Sequence, residues 1–362
     1  MTGMTLSSPT PLSLIDAAAL WDVTPGFLDS CSYGPPPRPA WEAMQKSLDE
    51  WRAGAGSWRP WAESVDASRD LFADLMGIPA EQVVTGAAVS QLLAPVAAAV
   101  PDGATVLVPD IEFTSGVFPF AVHADRGIRV RTAPLAALAD AMDTDTFLVS
   151  VSAVQSATGE VADIAAISER ARHTGSVIHV DATQAAGWLP LDATDVDFLS
   201  AHAYKWLCAP RGSAFLTMHP RLSARHPEFV ARLRPLAAGW YAGAAGAYYG
   251  MPLRLAPDAR AYDISPAWHS WVGTAPALEV IRAVGVAAIH EHDLTLANRF
   301  RAGVGLAASN SAIVSVALPI DAADRMRAAG IRFTVMDGRV RVAFHLYTTQ
   351  ADVDAALAAI RG

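Results

Sequence analysis

Two residues of this chain are suited to covalent chemistry by their type and setting. Asp181 ends the apolar run Val177-Ile-His-Val-Asp181, and Lys205 lies past the next apolar run, between Tyr204 and Trp206. A lysine can hold an aldehyde cofactor as a Schiff base. A carboxylate at the end of a buried strand can keep a pyridine nitrogen protonated, so that the ring accepts electrons from a substrate carbanion. Lysine followed by Trp206 and Leu207 is in apolar surroundings, which lower an amine's pKa and favour imine formation. The pair therefore suits pyridoxal phosphate (PLP). Asp181 taken alone is equally a turn or helix-cap residue, and Lys205 taken alone could be a surface lysine, which its neighbours Tyr204, Trp206 and Leu207 argue against.

Other segments add weaker signals. Val83-Val-Thr-Gly-Ala-Ala-Val-Ser90 reads as a strand, a glycine turn and a helix start. There Gly86 would admit a phosphate, Ala87 and Ala88 would offer backbone N–H groups, and Ser90 a hydroxyl. The same pattern is ordinary turn chemistry in most chains. Phe113 follows another strand and could stack on a flat ring, or simply pack in a core. Gln184 could reach a phenolic oxygen.

The elements that must position these residues alternate. Strands are expected at 82–85, 104–108, 128–132, 146–152, 176–180, 195–199 and 213–218, with helices at 39–51, 62–76, 89–100, 115–123, 134–141 and 163–173. Alternation predicts an α/β fold with a mostly parallel sheet, whose ligands sit at the carboxyl ends of strands. Residues 236–271 lack periodicity and read as a crossing segment and site wall. A helical region at 276–308, strands at 313–317, 331–336 and 339–345, and a helix at 349–361 follow. The division expected is an N-terminal segment, 1–25, a large domain, 26–240, and a smaller C-terminal α/β domain with the crossing segment, 241–362.

Composition bounds the function. Hydrophobic residues make up 52% and charged residues 17%, which excludes a disordered chain. The net charge of −9 comes without a basic run, so nucleic acid is not an expected partner. Apolar runs are too short to span a bilayer, and Met1–Leu20 has no basic start and carries Asp16, so neither a membrane anchor nor a signal peptide is expected. Cys31 and Cys208 make no disulfide framework or metal cluster, and a cytoplasmic protein without a metal is expected.

In their order these residues resemble the class V aminotransferase group of fold-type I PLP enzymes, which includes cysteine desulfurases, isopenicillin N epimerase-like proteins and kynureninase. The most specific match is Asp197-Phe-Leu-Ser-Ala-His-Ala-Tyr-Lys205, and the segment that follows is most similar to the isopenicillin N epimerase-like branch. The resemblance implies that Lys205 carries the Schiff base and that Asp181 partners the pyridinium. It implies that Gln184 contacts the ring hydroxyl, that Phe113 stacks on the ring, and that Ala87, Ala88 and His202 contact phosphate. It further implies that Gly273-Thr274 reaches the phosphate of a neighbouring subunit, hence a homodimer, and that Arg341 clamps the carboxylate of an amino-acid substrate. A guanidinium does this bidentately and fixes which Cα bond stands perpendicular to the ring.

The chain departs from the group's pattern at several of these positions. Tyr204 replaces the usual histidine before the lysine. Ser156 replaces an asparagine near the ring hydroxyl, with Gln155 beside it to compensate. Ala88 replaces a phosphate-loop threonine. No cysteine follows Cys208, where desulfurases carry their catalytic one. These departures favour a lyase acting on an S-substituted cysteine, ahead of an aminotransferase, an epimerase and, last, a non-catalytic PLP-binding regulator. The aromatic residues Tyr33, Trp58, Trp61, Trp240, Tyr241, Trp268 and Tyr347 are expected to line a pocket for a bulky substrate or to pack a dimer interface.

Overall fold

The computed structural model describes residues 10–319 and 321–362; the start of the N-terminal stretch read above for a signal peptide, residues 1–9, lies outside the described residues. Runs rich in Val, Ile and Leu become fully buried strands, the pattern of a sheet covered on both faces. The large sheet holds β1 (Val83–Gly86), β2 (Thr105–Pro109), β3 (Arg129–Ala133), β4 (Thr146–Ser152), β5 (Val177–Asp181), β6 (Phe198–His202) and β7 (Ala214–Met218). Their order is β1-β7-β6-β5-β4-β2-β3. Pairings from β3 through β6 are parallel, whereas β7 is antiparallel to both β6 and β1. Thus β2, β4, β5 and β6 deliver Phe113, Ser152, Asp181 and Lys205 to one edge of the sheet.

The helices of this region are α1 (Leu14–Ala18), α2 (Arg38–Arg52), α3 (Trp58–Met76), α4 (Val89–Ala99), α5 (Phe118–Ala121), α6 (Leu138–Ala141), α7 (Ile164–Thr174), α8 (Arg221–Arg225) and α9 (Pro227–Arg232). The stretches expected as helices at 115–123 and 134–141 are each a 3-10 turn followed by a single α turn. The remaining helices are α10 (Trp268–Val284), α11 (Val286–Gly303), α12 (Ala322–Ala328) and α13 (Gln350–Arg361). The helical region expected over 276–308 starts earlier and is two helices, because Gly285 at φ 85° ends one and begins the next. The α12 helix was not expected. The strand expected over 195–199 lies three residues later, because Asp197 is drawn into a buried cluster with Arg221 and Arg225 and accepts from the Ile178 N–H. That shift places Lys205 just past the end of β6. Among the described residues, no single helix is long and apolar enough to cross a membrane.

A second sheet, β8 (Ile313–Val316), β10 (Arg339–Ala343) and β9 (Thr334–Met336), in that order, is antiparallel and packs on Phe300, Met326, Val353 and Leu357 of α11, α12 and α13. Residues expected to begin the large domain pack in its core and also contact this second sheet region: Phe27 bridges to Arg332 and Asp29 to Ala343. The Gly26 N–H also donates to Asp352 Oδ1 at 2.6 Å, so the N-terminal strip joins the two sheets.

A buried ion pair fixes the start of the glycine turn after β1. Arg69 of α3 and Asp263, ahead of α10, meet at 2.6 Å with side chains 4% and 1% exposed. Asp263 Oδ1 also accepts from the Thr85 N–H at 2.7 Å, and Arg69 donates to the Val83 carbonyl. Removing one partner leaves a buried charge uncompensated. Asp263→Ala is expected to cost about 3–5 kcal/mol in chemical denaturation; a loss below about 1 kcal/mol would contradict this role.

Candidate active site

The chain contains two lysines. Lys46 pairs loosely with Glu50 on α2, its side chain 79% exposed. Lys205 is 6% exposed. Its turn is held against the N-terminal strip at a close backbone approach. The Gly34 N–H donates to the Tyr204 carbonyl at 2.8 Å, and a Cβ on Gly34 would fall 1.9 Å from the Lys205 carbonyl oxygen. Only glycine fits there. Cys208, at φ 52°, donates its N–H back to the Lys205 carbonyl.

Burial lowers the Lys205 amine to about 8, and the positive charges of Arg341 and Arg211 push the same way, against Cys31 and Asp181. Asp181, 6% exposed, is raised by burial to about 6, with Glu112 adding to the rise and the Thr183 hydrogen bonds and Lys205 opposing it. Its Oδ1 accepts from the Thr183 N–H at 2.8 Å. The two groups share a cleft with Phe113, Ser115, Ser152, Ser156, Thr183, Gln184, His202 and Tyr204.

Aromatic rings flank the amine. Lys205 Nζ lies 5.5 Å from the centre of the Phe113 ring and 5.8 Å from that of Tyr204. Phe113 is 46% exposed, so it is not a core residue. The Tyr204 ring also carries the exposed Arg211 guanidinium at 4.3 Å. Glu112 fixes the Phe113 turn, accepting from the Phe113 and Ser152 N–H groups and from Gln155 Nε2. Gln155 therefore faces Glu112, with its Oε1 buried and unpartnered.

A second cation enters from β10. Arg341, 5% exposed, donates through NH1 to the Ser156 carbonyl at 2.6 Å and hydroxyl at 3.0 Å, and through NH2 to Ser32 Oγ at 3.1 Å. Its Nε is buried without a partner. Gln184 joins this group, donating to Ser156 Oγ and to the Cys31 carbonyl while accepting from the Trp206 indole N–H.

The glycine turn lies beside the cleft, but its donors are engaged within the chain. Ala87 N–H donates to Gln91 Oε1, and Val89 N–H to His202 Nε2. Burial holds His202 down at about 4, so it is the neutral acceptor this bond requires. Ala88 caps α4 with no side-chain bond. A Cβ on Gly86 would meet Leu92 at 2.6 Å, so the glycine makes room for α4 packing.

Two sequence expectations fail. Gly273 and Thr274 do not reach outward. Thr274 is fully buried within α10, donating to Ser213 Oγ and the Ser270 carbonyl, and Gly273 abuts Pro210 and Met44. A helical segment has a buried and an exposed face, and these two residues lie on the buried one. The seven aromatics also do not line the cleft together. Tyr347 is buried with its hydroxyl on Ser30, and Tyr33 stands edge-on to Phe27. Trp58, Trp240 and Trp268 line a separate groove, Tyr241 meets Trp240 and Trp268 edge-on, and Trp61 packs edge-on against His269. The sequence reading missed Glu112, Ser115, Ser152 and Thr183. All four follow or end a strand at the carboxyl edge, the signal that would have found them.

A family model described as aminotransferase class-V matches residues 27–315. The chain belongs to that family. It is similar to the uncharacterized aminotransferase YcbU of Bacillus subtilis, 28% identical across 90% of this chain and 91% of that one. A probable cysteine desulfurase of Methanothermobacter thermautotrophicus is 24% identical over 77% of this chain and 72% of its own. Among solved structures, the Escherichia coli cysteine desulfurase CsdA superposes with a TM-score of 0.81 at 19% identity, covering 97% and 98% of the two chains. The cystine C–S lyase C-DES, in complex with cysteine persulfide, gives 0.82 at 20% identity, covering 93% and 97%. These two share the fold, fold-type I.

PLP is the cofactor of this enzyme family. The cleft suits it: it presents a buried amine of lowered pKa, a buried carboxylate, a half-exposed aromatic ring and a helix N-terminus at its border. One consequence is testable on the cofactor-free protein. Only the neutral amine is nucleophilic, so acylation of Lys205, followed by mass spectrometry, should rise with pH and level off above about 8. A rate still climbing through pH 10, as for an ordinary lysine near ~10.4, would contradict the burial argument.

Proposed function

We propose that this enzyme is a carbon–sulfur β-lyase acting on an S-substituted cysteine. The observation that carries this reading concerns the two cysteines. Cys31 and Cys208 are 1% and 0% exposed, and burial raises the Cys31 thiol to about 12, above the reach of neutral-pH ionisation. A thiol that stays protonated and buried is a poor nucleophile toward substrate sulfur. Sulfur must then leave with its own substituent rather than pass to the protein. The fold shared with a cystine C–S lyase agrees with this chemistry.

Bound PLP would supply an electron sink for the pair left on Cα when its proton is lost. The chain's residues supply the rest. Lys205 would hold the cofactor, and, once the substrate amine replaces it, its Nζ would accept the Cα proton; an amine near 8 is matched to that task. Asp181 would hold a protonated ring nitrogen, whose positive charge would in turn keep this carboxylate ionised despite its burial. Phe113 would cover the ring face, and His202 with Ala87 and Ala88 would border the phosphate. Ser156 and Gln184 would contact the ring hydroxyl. Arg341, released from Ser156 and Ser32, would take the substrate carboxylate, with Gln155 and Tyr33 nearer the side chain. With the Cα proton lost, its electron pair would form a Cα–Cβ double bond as the Cβ–S pair left with sulfur as a thiolate, and hydrolysis would give pyruvate and ammonium. A homodimer is part of this proposal, resting on the family, without Gly273-Thr274 as the shared element.

Transamination is the second reading, favoured by the resemblance to the aminotransferase YcbU over nearly both full lengths. A substrate panel separates the two. S-alkyl cysteines should give pyruvate, ammonium and thiol in equal amounts; a keto acid with stoichiometric pyridoxamine phosphate would overturn the lyase reading. Lys205→Ala should abolish turnover. Arg341→Ala should lower kcat/KM by at least about 30-fold while leaving the cofactor spectrum unchanged, since a charged hydrogen bond to substrate is worth about 2–5 kcal/mol. Replacing both cysteines with serine should leave turnover within about threefold of the parent, the opposite of a desulfurase.

A further inference from the structure

We propose that the buried pair Asp293–His345 is a positioning clamp for the Lys205 turn, acting through the Trp206 carbonyl. The pair lies behind the cleft, outside the residues that line it. Asp293 belongs to α11 and His345 follows β10, and both side chains are 0% exposed. His345 Nδ1 lies 2.9 Å from Asp293 Oδ2, and Nε2 lies 2.8 Å from the carbonyl oxygen of Trp206, the residue after Lys205. A carbonyl can only accept, so Nε2 must carry a proton. The other ring nitrogen then shares a proton with the carboxylate. Burial pulls His345 down, but the Asp293 carboxylate more than offsets this and raises it, which favours a donor at Nε2 with the second proton held between Nδ1 and the carboxylate.

Trp206 is held at two further points. Its indole N–H donates to Gln184 Oε1 at 2.9 Å, and its ring meets the His345 ring edge-on at 5.2 Å. Gln184 is thereby oriented, and its Nε2 reaches Ser156 Oγ, which Arg341 also contacts. One connected set of bonds therefore runs from α11 through the Lys205 turn to both groups expected to meet cofactor and substrate. Fold stability alone does not call for such a pair, since well-packed apolar residues usually serve as well or better than a buried ion pair. What apolar residues cannot supply is a directed donor for the Trp206 carbonyl. The inference rests on the Lys205 cleft being the PLP site.

The test replaces the pair with apolar residues of similar size, Asp293→Leu with His345→Phe, and measures two quantities. The first is the acylation rate of Lys205 relative to Lys46 in the cofactor-free protein, an internal ratio that the two-lysine composition permits. The second is PLP affinity, read from the visible absorbance. The double variant should melt within about 5 °C of the parent, yet change the labelling ratio at least about fivefold and weaken PLP binding about tenfold, as expected when a reactive group is displaced. A folded variant with the parent's ratio and affinity overturns the clamp. If the apolar variant does not fold, Asp293→Asn with His345→Gln decides: its amide still offers an N–H to Trp206, so both values should stay within about twofold, and a fivefold change overturns the proposal. Should the parent itself fail to bind PLP, the cofactor reading falls, while the labelling ratio still reports on the clamp.

Discussion

Desolvation of a single primary amine is the constraint on which the site depends. In water an amine stays charged and is a poor nucleophile near neutral pH. Withdrawn into a cleft with two arginines nearby, Lys205 drops to about 8. The surroundings that achieve this are specific. A glycine allows backbone to touch backbone at the Lys205 carbonyl, the ring centres of Phe113 and Tyr204 stand 5.5 and 5.8 Å from Nζ, and Asp181 supplies a counter-charge without forming an ion pair. Burial raises the cost of a charged lysine in the cofactor-free protein and favours its conversion to an imine, while Asp181 offsets only part of that cost.

The same logic explains why the small sheet is placed where it is. Arg341 on β10 and His345 just beyond it come from opposite ends of one short segment, and both act on the turn and cleft built by the large sheet. Asp293 and the Gly26–Tyr33 strip tie that segment down. Catalytic geometry of this kind depends on elements being held to within a fraction of an ångström, and here buried polar bonds supply that precision across the junction of the two sheets.

What the sequence disclosed follows from how local each signal is. The strands were readable because continuous Val, Ile and Leu runs are rare outside buried sheets, and Asp181 and Lys205 were readable because few residue types can do their chemistry. The reversal of β7 was not, since a short apolar strand reads alike in either direction. Thr274 was misplaced because a motif match does not say which face of a helix meets solvent. Glu112 looked like a turn carboxylate until the fold brought Ser152 and Gln155 to it. Three strands and a helix separate Asp293 from His345 along the chain, and only tertiary structure joins them.

The central claim is that Lys205, and not the exposed Lys46, is the residue joined to the cofactor. Borohydride reduction of the PLP-loaded enzyme followed by peptide mapping tests it directly. The account requires a single pyridoxyl group on the peptide containing Lys205 and none on Lys46; a pyridoxyl group on Lys46, or an unmodified Lys205 in protein that has bound PLP, would contradict it.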